Sequence, residues 1–130
     1  MICAAWRRVL TSRRPAIGTT IIYARLGALP DGAEPSQRSQ LMAALSVGDG
    51  IIQLRRIAPR LGLGSDLDVA LDTFALGKSA IVTAQLARLD DRLASLPDGR
   101  SGAPLVFRAR ASILVISQAL VEHASYFDAG

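Results

Sequence analysis

Residues Ser65–Leu96, SDLDVALDTFALGKSAIVTAQLARLDDRLASL, decide the fold class. Leu67, Leu71, Phe74, Ile81, Leu86, Leu89, Leu93 and Leu96, with Val82 beside Ile81, recur at steps that fit a helical period. That period puts them on one stripe of a helix, whereas a half-buried strand alternates at every second residue. The spacing predicts one helix over about 66–95. Ser65-x-x-Asp68 has the spacing of a capping box, with Asp where Glu is usual. Asp66, Asp68 and Asp72 suit the positive end of the helix dipole. Lys78 falls on the stripe between Phe74 and Ile81. Its aliphatic stem can lie on apolar surface with the ammonium reaching water. The sharper reading makes Lys78 part of an interface with an acidic partner.

The same period extends to both sides. Over about 35–60, Leu41, Ala44, Leu45, Gly48, Ile51, Ile52, Arg55 and Ala58 share a face, with Pro35 at the first helical position. Gly48 and Gly50 each cost about 1 kcal/mol relative to Ala inside a helix, and Gly48 on the apolar face points to a close helix crossing. Pro59 and Leu61-Gly62-Leu63-Gly64 end the element. Beyond the loop Ser95–Gly102, Pro104 opens a last helix over about 104–127. Its stripe is Val106, Ala109, Ile113, Ile116, Leu120, His123 or Ala124, and Phe127. The expected fold is all-α: an antiparallel helical bundle of three long amphipathic helices plus a short N-terminal helix near Ile21–Leu29. Residues 18–130 form its single domain, and 1–17 stand apart as a basic leader. Three stripes can bury one another, but a fourth element or a second chain would complete the core better.

Composition agrees. Of 130 residues, 50% are hydrophobic but only 5% aromatic, so Leu, Ile, Val and Ala must fill the core. No run of about 20 consecutive apolar residues is present, so no membrane span is expected. The single Cys3 cannot form an internal disulfide, which fits a reducing, cytoplasmic setting. Charge is uneven: residues 1–30 hold Arg7, Arg8, Arg13, Arg14 and Arg25 and none of the 11 acidic residues. The leader, through Arg7, Arg8, Arg13 and Arg14, is a candidate contact for anionic lipid or nucleic acid. The nearly neutral body is not expected to bind nucleic acid.

The residues for chemistry are sparse. His123 is the only histidine and Cys3 the only cysteine, too few for a zinc site and without a poised nucleophile–base pair. Asp90-Asp91 lie between Arg88 and Arg92, as a solvated charge cluster does. The glycines at 62 and 64 lack the lysine and spacing of a phosphate-binding loop. No catalytic residue, metal ligand or cofactor is expected, and an enzyme is not.

One block is more distinctive. Ile22–Pro30 (IYARLGALP) is followed by Glu34–Arg38 (EPSQR), Leu41–Gly48 (LMAALSVG) and Ile51–Arg56 (IIQLRR). Together with the ending Ala-Leu-x-x-His-x-x-x-Phe-Asp-Ala over 119–129, this resembles the C-terminal cytoplasmic region of the fusaric acid resistance family of bacterial inner-membrane aromatic-acid efflux proteins. The resemblance spans about residues 18–130. It implies a non-catalytic helical domain or fragment of a transmembrane efflux transporter at the inner face of the plasma membrane. The partners it implies are membrane-embedded subunits or a second copy. It carries over Gly48, Leu54, Arg55 and Arg56 as a packing or docking motif, and no transport residue. Asp49-Gly50 departs from the family pattern. The alternative is a free-standing helical protein-interaction module.

Overall fold

The computed structural model describes residues 27–32, 34–97 and 103–128. Of the short N-terminal helix expected near Ile21–Leu29 only residues 27–29 are among them, and the leader 1–17 lies outside. The described chain forms α1 (Pro35–Ile57), a 3-10 turn (Ala58–Leu61), α2 (Gly64–Asp72), a second 3-10 turn (Thr73–Leu76), α3 (Ser79–Ala94), α4 (Ala103–Glu122) and the short α5 (Ala124–Phe127). No strand occurs among the described residues. The long helices α1, α3 and α4 pack antiparallel, with α4 in contact with both of the others.

Each boundary has a local cause. Pro35 fixes the first turn of α1 behind an extended Glu34 (φ −60°, ψ 136°). Pro59 lacks the N–H that would continue α1, and the chain tightens into the 3-10 turn. Gly62, at φ 75°, then reverses direction with its N–H donated to the carbonyls of Ala58 and Pro59. α4 stops where His123 leaves helical geometry (φ −121°, ψ 32°).

The stretch that decided the fold class is two helices rather than one. Gly77 adopts φ 67° and Lys78 is extended (φ −129°, ψ 108°), so the expected helix over 66–95 breaks between them. α1 and α3 both run antiparallel to α4, so residues 58–78 must return the chain along the bundle, and the hairpin of α2 against α3 does this. Phe74 and Val82 are buried on either side of the break, which therefore leaves the apolar period in phase. Lys78 is exposed at the start of α3, not on a buried stripe. The expected capping box is also absent. Leu63 is the N-cap residue of α2 and makes no side-chain capping bond, while Ser65 lies inside the helix and is exposed.

One core runs through all four main helices, including Val47, Ile51, Leu54, Leu67, Leu71, Val82, Leu86, Leu93, Ile116 and Leu120. α2, rather than a second chain, is the fourth element that fills it. A close crossing occurs at Gly50. A methyl there would meet Ile116 Cγ1 at 2.5 Å and the Ser112 carbonyl at 3.3 Å, so α4 sits directly against the α1 backbone. Gly48 is buried as well.

Candidate functional site

α4 is apolar on two sides. Ala109, Ile113, Ile116, Ala119 and Leu120 point into the core. On the outer side, Phe107 is 74% exposed, Leu114 58%, Val121 69% and Val115 45%. A helix of this composition is ordinarily buried all round, whereas a surface helix has one apolar stripe. By length and composition α4 also meets the requirement for crossing a membrane, which counting uninterrupted apolar runs does not show. Only 28% of its apolar window is buried. Scattered exposed apolar residues are ordinary, whereas large contiguous apolar patches mark interaction surfaces.

Two grooves flank this row. Between α3 and α4 lies one lined by Leu93, Leu96, Val106, Phe107, Ala111 and Leu114, with the Asp90–Arg110 ion pair across it. Arg110 Nε donates to Asp90 Oδ1 at 3.0 Å and Nη2 to Oδ2 at 3.3 Å, a two-pronged pair that fixes α4 on α3. Between α1 and α4 lies a second groove containing Arg38, Met42, Ser46, Val115, Gln118 and Glu122. His123 borders it, and its ring stacks on Tyr126 with centroids 5.6 Å apart. Among the described residues no group of three or more His, Cys, Asp or Glu side chains converges to hold a metal ion.

The residues singled out from the sequence do not form one surface. Gly48 and Leu54 are buried in the core, so they pack and do not dock. Arg55 is half-buried, with Nη1 3.4 Å from Asp68 Oδ1 and a buried Nε that has no hydrogen-bond partner among the described residues. Arg56 is exposed one position further on. Arg7, Arg8, Arg13 and Arg14 lie outside the described residues. Asp66 and Asp68, expected at a helix start, are there but also tie α2 to its neighbours: Asp66 Oδ1 is 3.3 Å from Arg92 Nη1.

Sequence reasoning missed the outer row of α4 and one structural carboxylate. The heptad spacing of Phe107, Leu114 and Val121 was a legible signal for the row, overshadowed by the stripe on the inner side. Asp128 Oδ1 accepts a hydrogen bond from the Ser79 N–H at 2.7 Å. This caps the start of α3 from the far end of the chain and holds the Asp128 carboxyl below its ordinary range, the Ser79 N–H contributing most and its hydroxyl next. Local sequence offers no signal for that pairing. Comparison of the chain with known protein families, curated proteins and solved structures finds no match. The fold and the surface define a small all-helical domain with an apolar outer helix face.

Proposed function

We propose that this chain is a non-catalytic helical docking domain whose outer α4 face receives a partner. The observation that carries this reading is the exposed row Phe107, Leu114 and Val121 on a helix whose opposite face already fills the core. Row and core are separate surfaces of one helix, so binding at the first need not disturb the second. Substituting Leu114→Asp in the full chain tests it. The reading expects an unchanged thermal midpoint where the protein is dilute enough to be monomeric, and loss of association at the higher concentrations where the unsubstituted chain associates. A midpoint lowered by several degrees would overturn it, because Leu114 would then belong to the chain's own core.

The resemblance at Ile22–Arg56 supports a more specific form of this reading: the cytoplasmic helical part of an efflux transporter like those of the fusaric acid resistance family, docked at the inner face of the membrane. The DNA immediately upstream of the Met1 codon checks it. Membrane-spanning sequence there, in frame or displaced by a frameshift, supports that form; an unrelated gene removes it and keeps the interaction module.

A further inference from the structure

Resting on the docking reading, we infer that the occupant of the outer α4 face is a second copy of this chain, with the two α4 helices antiparallel. Phe107, Leu114 and Val121 are spaced by seven residues, and Ala111 and Gln118 follow the first two by four. Steps of four and three at this repeat are the seam of a two-helix coiled coil. All five side chains are exposed, so the seam is open along the helix.

The pattern is self-complementary about Leu114. A two-fold axis there sets Phe107 of one copy beside Val121 of the other, bulky against smaller, and brings the two Leu114 side chains together. Arg108 and Glu122 each follow a seam residue by one position, so they lie on the same flank at opposite ends. In an antiparallel pair, equivalent flanks meet with their ends exchanged. Each Arg108 therefore stands opposite the partner's Glu122, giving two equivalent ion pairs. Both side chains are exposed, and neither forms an ion pair with another described residue. Ala111, beside the Phe107 end of the seam, lets the helices approach closely. A lipid surface fits this face less well: an interfacial helix carries Lys and Arg along its polar side, whereas this flank ends in Glu122 and the seam contains Gln118.

Sedimentation equilibrium of the full chain over about 1–200 µM tests the inference. It expects a monomer–dimer equilibrium. R108E or E122R alone should weaken dimerisation by about tenfold, since each replaces two attractive flank pairs by two repulsive ones. The double variant R108E/E122R should restore it to within about threefold. A chain monomeric throughout, or a double variant no better than the singles, overturns the inference. In a monomeric chain, an L114D variant with unchanged thermal midpoint sinks the second copy and keeps a docking face. L114D-sensitive binding to vesicles of anionic phospholipid assigns the face to lipid instead. A monomer whose L114D variant melts early sinks both.

Discussion

α3 and α4 lie side by side in one bundle and treat their outer faces differently. α3 buries Val82, Leu86, Leu89 and Leu93 and turns Ala80, Ala84, Arg88, Asp91 and Arg92 to the outside. α4 buries a similar row and turns out Phe107, Leu114 and Val121. The fold requires only the inner row, as α3 demonstrates. Burial of α4's second row does not hold the described bundle together, and the proposed docking rests on this exposed apolar surface.

Substitutions on the two helices sharpen this contrast. The largest effect belongs to the inner face of α4. Ile116→Ala empties a fully buried site against Gly50 and should cost about 2–5 kcal/mol in denaturant unfolding. A cost under about 1 kcal/mol would mean that the inner face is no better packed than the outer.

Gly50→Ala comes next. The added methyl collides with Ile116, an overpacking cost of about 1–3 kcal/mol, offset by roughly 1 kcal/mol of helix propensity. The expected net loss is about 0–2 kcal/mol; a stabilised variant would show that α4 does not press on the α1 backbone.

Asp128→Ala removes the remote cap of α3 and should cost about 1 kcal/mol at neutral pH. Its folded pKa lies below its unfolded value. The contribution is therefore complete above the ordinary carboxyl range and is lost as pH falls through the lowered folded value. Stability curves of the two proteins should converge in acid below about pH 4, measured by urea unfolding at several pH values. Parallel curves would remove the cap. The smallest effect is the one already assigned to Leu114→Asp, near zero in the monomer.

How far the sequence could be read follows from where each signal lies. The stripes of α1 and α4 are local, and Leu54, Ile113 and Ile116 are buried where periodicity put them. Phe74 and Val82 were placed correctly too, yet the break between them was not, because Gly77-Lys78 reverses the chain without shifting the apolar phase. Gly77 was the available cue. Its left-handed geometry is what a glycine permits, but a helix interior tolerates the same residue at about 1 kcal/mol, so the letter alone does not decide. Gly50 shows the same limit: it is visible as a glycine, and only the path of α4 brings Ile116 against it.

By itself the sequence determined that this protein is helical, which residues form its core, and roughly where its helices start and stop. Those properties come from spacing and from proline and glycine chemistry acting within a few residues. Tertiary structure decided that 66–95 folds back as a hairpin, that Asp128 caps a helix 49 residues earlier in the chain, and that α4 keeps a second apolar face uncovered. Each of these depends on which surfaces meet across the bundle, and an apolar stripe specifies that it will be buried without specifying by what.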